Sequence, residues 1–313
     1  MLAEQRLRLH LKLGHINYNL KRRNARQWVQ SFRNRAQRSL FDRNLRRTYE
    51  RRVKQHSPYL PSVTARARTI LRDIETEGVS IDSARTLDLP LTDEVLRSAA
   101  QLLPSLAECP ATQPGGFRVF ADQECFKDFP QLFLWGLNDV VLDMVENYLG
   151  VPVGYHKVDV IRSIHNGLSH GARMWHLDGE DHRTFRIIIY LNDVDHGSGP
   201  FEYIPRPISQ KARQDLKYSQ EYVPDDVMSN VVRTNLWKSC VGPRGTIIFA
   251  DPTNVFHRGK MPTRQERFAI FYSYHSARPM YPRYLPPGFS RDIVAYMNSK
   301  LSERQRASVY CRG

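Results

Sequence analysis

No two cysteines lie near each other in this 313-residue chain: Cys109, Cys125, Cys240 and Cys311 are far apart and form no CxxC pair. That spacing argues against a zinc ribbon or a dense disulfide frame, and free thiols in a reducing cytoplasm are expected. Long apolar runs are missing too. A membrane span needs roughly 20 consecutive apolar residues, and the longest candidates, 132–142 and 151–161, are broken by Asn, Asp, His and Lys. Met1–Leu20 has no compact apolar block leading to a small-residue cleavage site, so no secretory leader is expected. Internal repeats, low-complexity segments, zinc fingers and Gly-rich RNA-binding motifs are also absent, so no specific nucleic-acid reader is expected.

What is present is the composition of a folded protein, 41% hydrophobic and 25% charged, with a formal net charge of +14. The charge is lopsided. Residues 1–70 carry 18 Lys+Arg against three acids, while the remaining 243 carry 28 against 29. The basicity therefore belongs to an arm over residues 1–62, with Trp28, Phe32, Leu40, Leu45 and Tyr49 recurring at helical spacing. The arm reads as a solvated helix or helix pair, or as a contact for an acidic partner or an anionic surface.

From Val63 to Gly313 one domain is expected, helical first and then mainly β. Helices are predicted over Val63–Glu77 with Ser62 as cap, over Thr92–Leu103 stopped by Pro104, and over Phe129–Leu149 ended by Gly150. Strands are predicted at Val79–Ile81, Tyr155–Ile164, Phe185–Leu191, Thr246–Ala250 and Arg267–His275. A polar insertion at 206–239, helical over Ser209–Tyr218, has the length of a lid, and Ser290–Gln305 reads as a C-terminal helix. This α+β pattern, mainly β with flanking helices, points to a jelly-roll or cupin-like barrel with helices packed outside.

The chemistry is concentrated in Trp175-His176-Leu177-Asp178-Gly179. In an extended segment, residues i and i+2 share a face, so the imidazole and the carboxylate can converge over about 6–7 Å of strand. His257, 81 residues later beside Gly259, supplies a third ligand. Two imidazoles and one carboxylate on one octahedral face are the ligand set of non-haem iron(II), leaving positions open for a chelating co-substrate and O2. Arg267 opens the next strand ten residues on and can fork onto a distal carboxylate, which points to a 2-oxo dicarboxylic acid. Arg264 is a nearby competitor for that role. Glu180 and Asp181 could orient the ligands, cap a turn or bind a polar substrate group. The walls of the pocket are expected from 117–120, 158–162 and the lid.

These blocks resemble the phytanoyl-CoA dioxygenase-like group of iron(II)/2-oxoglutarate oxygenases. The resemblance rests on Trp175 to Asp181, on Phe185 to Val194, on Gly199-Pro-Phe-Glu-Tyr-Ile-Pro205, and on His257-Arg-Gly with Arg267, and it spans roughly residues 63–275. It implies a double-stranded β-helix, with His176, Asp178 and His257 as iron ligands and Arg267 gripping the 2-oxoglutarate C5 carboxylate. It also implies a co-substrate contact from Tyr190. Arg186, four residues earlier on the same strand face, reads either as a co-substrate or substrate contact or as an exposed strand charge. The activity implied is oxidative decarboxylation of 2-oxoglutarate to succinate and CO2, coupled to hydroxylation of a small molecule in secondary or lipid metabolism, with ascorbate as reductant in vitro. An acid at 178, where halogenating relatives carry a small residue, favours hydroxylation, with desaturation and cyclisation open. A non-catalytic scaffold acting through the basic arm, or a zinc hydrolase or isomerase using the same triad, are the competing readings; the latter leaves Arg267 unexplained.

Overall fold

Among the described residues nine strands form two antiparallel sheets. They are β1 (Val79–Ser83), β2 (Arg118–Phe120), β3 (Val153–Ser163), β4 (Phe185–Tyr190), β5 (Phe201–Tyr203), β6 (Lys238–Cys240), β7 (Thr246–Ala250), β8 (His257–Gly259) and β9 (Arg267–Ser276). The larger sheet runs β1-β7-β4-β9-β3-β2 and the smaller β6-β5-β8. The structure is a computed structural model that describes residues 42–87, 89–111, 116–219 and 222–310.

The chain divides into a unit ending at Arg51 and a second beginning at Arg52. Of the first, residues 42–51 are described and are helical; Trp28, Phe32 and Leu40 of the expected basic arm lie outside the described residues. All nine strands belong to the second unit.

Alternation within the strands assigns the two faces of the large sheet. Ile188 and Tyr190 of β4, Ile248 and Ala250 of β7 and Ala269 of β9 pack with Phe201 and Cys240 of the small sheet in one buried cluster. That cluster is the interior between the two sheets, the core of a double-stranded β-helix. The intervening residues face the other way. Tyr155, Tyr272 and Tyr274 carry their hydroxyls to the backbone carbonyls of Phe133, Leu132 and Gly136, tying the 130–149 region to the outer face. Each such aromatic also removes a large apolar surface from water, worth roughly 1.5–3 kcal/mol when fully buried.

The helices depart from expectation at their ends and breaks. Ala65–Glu77 is capped by Thr64, whose hydroxyl accepts from the Ala67 N–H, and not by Ser62; its buried face is Ala67, Ile70 and Ile74, and Gly78 closes it at φ 85°. Thr92–Glu108 runs through Pro104. The proline forfeits one backbone bond, but a buried face of Val95, Ser98, Ala99 and Leu106 holds the helix on course. The expected Phe129–Leu149 helix is three pieces, Pro130–Leu134, a 3-10 turn Trp135–Leu137, and Asp139–Leu149. Asn138 breaks it by capping the last piece, its side chain accepting from the Val141 N–H. The C-terminal helix likewise divides into Arg291–Asn298 and Glu303–Val309, the second starting on a capping box at Ser302 and Gln305.

Gly136 sits where the broken helix meets the sheet. A Cβ there would lie 2.7 Å from Tyr272 and 2.8 Å from the Tyr155 hydroxyl. Both rings are buried and cannot swing aside, so Gly136→Ala is expected to destabilise the chain by about 1–3 kcal/mol. Urea unfolding reads this directly, and an unchanged midpoint would show that the outer-face packing has slack.

Candidate metal centre

His176 and His257 face each other across an isolated antiparallel bridge, with backbone bonds of 3.1 Å and 3.0 Å in the two directions. The His-x-Asp segment, expected on a strand, is extended, but only Trp175 and His176 are bridged, and no regular strand forms around them. A backbone bond from the Asp178 N–H to the Pro252 carbonyl, 3.0 Å, fixes the third residue. Ligand atoms of His176, Asp178 and His257 all lie within 4.8 Å of one another. Asp178 Oδ1 is 3.7 Å from Nε2 of each histidine.

The two imidazoles use one local device. Nδ1 of His176 meets the Met174 carbonyl at 2.9 Å, and Nδ1 of His257 meets the Val255 carbonyl at 3.2 Å, in both cases two residues back. A carbonyl can only accept, so Nδ1 carries the proton and the Nε2 lone pair faces its neighbours. Burial lowers the pKa of both rings; for His257, burial and then the facing His176 bring it down to about 3. Burial would raise the Asp178 carboxyl, but the Arg186 guanidinium reverses that and holds it below its ordinary value. Two neutral imidazoles and one carboxylate are therefore the resting state, which is the state a divalent cation needs.

Arg186 shapes the carboxylate further. Its Nη2 is 2.7 Å from Asp178 Oδ2 and 3.5 Å from Glu180 Oε1. Holding Oδ2 leaves Oδ1 as the atom that faces the histidines, a one-oxygen donor. Burial and the charge of Asp178 push Glu180 up. Asp181 lies apart from this cluster and accepts from the Ser276 N–H and hydroxyl and from the Met280 N–H.

The triad opens into a cavity of about 430 Å³ whose walls include Arg118, Phe120, Asp159 and Ile161 together with Tyr218 and Tyr222 of the insertion. Arg267 also lines it, buried to 2% exposure. Its Nη2 lies 3.3 Å from Ser163 Oγ, while Nε and Nη1 have no partner among the described residues. Gly259, two residues after His257 on β8, leaves room for that guanidinium, since a Cβ there would stand 3.1 Å from Nη2. Arg264 instead pairs at the surface with Asp195. Tyr190 is fully buried beside Arg267; its hydroxyl donates to the Cys240 carbonyl and accepts from the Phe201 N–H, and the cavity wall does not include it.

Arg258 belongs to no motif of its own, yet it ties the insertion to the centre. It lies between the rings of Trp175, 4.4 Å, and Trp237, 5.4 Å, and pairs with Glu202 and Asp225. Trp175 and Arg258 are the immediate neighbours of the candidate ligands His176 and His257. Both lie within the sequence blocks that carry the family resemblance, but nothing in the sequence pairs one with the other.

No protein-family model matches the chain, and no curated relative does. Solved structures with a similar fold include EctD from S. alaskensis with 2-oxoglutarate and 5-hydroxyectoine, 19% identical at a TM-score of 0.48, covering 72% of this chain and 82% of that one. The non-haem α-ketoglutarate-dependent carbocyclase SnoK from nogalamycin biosynthesis is 16% identical at a TM-score of 0.49, covering 74% and 98%. HygX from Streptomyces hygroscopicus with nickel and 2-oxoglutarate is 14% identical at a TM-score of 0.45, covering 69% and 88%. At such identities and TM-scores the chemistry of this centre has to be read from its own atoms.

Proposed function

We propose that His176, Asp178 and His257 hold one iron(II), that Arg267 grips the C5 carboxylate of 2-oxoglutarate, and that the protein is an oxygenase of the phytanoyl-CoA dioxygenase-like kind that hydroxylates a small molecule. The observation that carries this reading is the pairing of the triad with an arginine whose Nε and Nη1 are buried and unsatisfied in the same cavity. Unmet buried donors cost about 1–3 kcal/mol each and call for an acceptor. The zinc hydrolase or isomerase reading leaves Arg267 unexplained.

When bound, iron(II) would activate O2, the oxidant, with 2-oxoglutarate giving two electrons as it becomes succinate and CO2; one oxygen atom would enter succinate and the other the substrate. The chain's own contributions are geometric and electrostatic. The Nδ1–H bonds keep both Nε2 lone pairs in place, and Arg186 keeps Asp178 ionised and restricted to one oxygen. Phe201, Phe271 and Ile161, with Tyr218 and Tyr222, give the cavity its apolar and aromatic walls beside the triad. The carboxylate of Asp178 occupies the place a halide would need, which favours hydroxylation. The described cysteines, Cys109, Cys125 and Cys240, are free and suit a reducing compartment such as the cytoplasm.

The test is an anaerobic titration of the full chain with iron(II) and then 2-oxoglutarate. A visible charge-transfer band is expected, followed, on admitting air and ascorbate, by slow succinate release even without substrate. A chain that binds zinc but gives neither band nor succinate removes the oxygenase reading.

A further inference from the structure

The cavity presents four cationic side chains, Arg118, Lys157, Arg186 and Arg267, against three carboxylates, Asp159, Asp178 and Glu180. Three of the cations have an assignment. Lys157 pairs with Asp159 at 2.7 Å, Arg186 is held by Asp178 and Glu180, and Arg267 is the proposed co-substrate grip. Arg118 has no hydrogen bond or ion pair among the described residues; its guanidinium rests only against the Phe117 ring, 5.1 Å from the centroid.

The placement of Arg118 follows from strand register. Arg118 pairs with Ser163, and Ser163 pairs on its other side with Arg267, so the two arginines share one row and one face across β2, β3 and β9. Their Cα atoms are therefore two strand spacings, roughly 10 Å, apart. Arg118 is also near enough to the centre for its charge to act on His176 and Asp178. The fold has placed a second guanidinium without an ion pair in the same row as the first, half-buried in the cavity wall, where it can reach a ligand in the cavity.

Charge balance says what it awaits. A doubly charged iron and a doubly charged 2-oxoglutarate cancel, and the wall retains one excess positive charge. Two carboxylates of the co-substrate are already used, one at the metal and one at Arg267. We infer that Arg118 anchors an anionic group, a carboxylate or a phosphate, on the molecule oxidised at this centre, so that the substrate class is a small organic anion held with its carbon skeleton over the iron. This inference rests on the oxygenase reading. It adds the substrate class that the reading lacks.

The test uses the full chain, its Arg118→Gln and Arg118→Lys variants, anaerobic iron(II) and saturating 2-oxoglutarate. The probes are benzoate and phenyl phosphate, with benzamide as the neutral control, read by calorimetry and by perturbation of the visible band. At least one anion is expected to bind the wild type where benzamide does not. Loss of a charge-assisted contact should weaken that anion by about tenfold or more in Arg118→Gln and by less in Arg118→Lys. The 2-oxoglutarate half-saturation should move by less than about twofold, since Arg267 and the metal carry that molecule. If instead 2-oxoglutarate weakens in Arg118→Gln while the anion does not, Arg118 belongs to the co-substrate and the inference is overturned. A normal band with no anion binding to the wild type overturns it as well and leaves the oxygenase reading standing. Absence of the band in the wild type removes both.

Discussion

His257→Ala is expected to yield a folded chain that no longer retains iron(II) and forms no band with 2-oxoglutarate. The fold should survive because what joins the two ligand segments is backbone: the reciprocal bonds between His176 and His257 need no imidazole. What goes is one of three donor atoms, and the remaining Nε2 of His176 and Oδ1 of Asp178 are 3.7 Å apart with nothing opposite them. Altering only an outer partner of a metal ligand typically costs 10–100-fold in affinity, so removing the ligand itself should exceed about a hundredfold. Iron content after anaerobic dialysis, the visible band and succinate release should fall together. Retention of iron at wild-type affinity by His257→Ala would place the metal elsewhere and undo the assignment of the triad.

That triad is legible in the sequence because its parts are local or chemically unusual. His176 and Asp178 share a face whenever the chain is extended, which holds here even though no regular strand forms. Their meeting with His257 follows from ligand chemistry alone, since 81 residues separate it from His176 and pairing at that range is set by the sheets, not by local pattern. Arg118 shows the limit most clearly. On the sequence it is one arginine within 117–120, a segment expected to line the pocket, with nothing that singles it out. Its kinship with Arg267 exists only because β3 pairs with β2 on one side and with β9 on the other. Arg258 is hidden for the same reason, its two tryptophans lying 83 and 21 residues away. Helix ends fail differently: Ser62 and Thr64 are both competent caps, and Asn138 can cap or continue, so the choice falls to tertiary packing.

Arg267→Leu is expected to separate stability from function. In the ligand-free chain Arg267 is a fully buried charge with Nε and Nη1 unmatched, and burial draws its pKa below the ordinary arginine value despite Tyr190 beside it. Replacing such a group by an apolar side chain of similar reach is often neutral or stabilising by about 1–4 kcal/mol. The variant should therefore unfold at equal or higher urea concentration than the wild type when no co-substrate is present. Adding 2-oxoglutarate and iron(II) should reverse the order. Ligand stabilises the wild type by mass action, about 2.7 kcal/mol at a hundred times Kd, and should leave Arg267→Leu almost unmoved because the C5 carboxylate has lost its partner. Arg267→Lys should recover only part of the affinity, because an ammonium cannot offer the fork that two carboxylate oxygens accept. The crossing of the two stability curves is the decisive reading. Were Arg267 an ordinary structural residue, Arg267→Leu would lose stability with and without 2-oxoglutarate alike, and the proposed carboxylate grip would have to be abandoned.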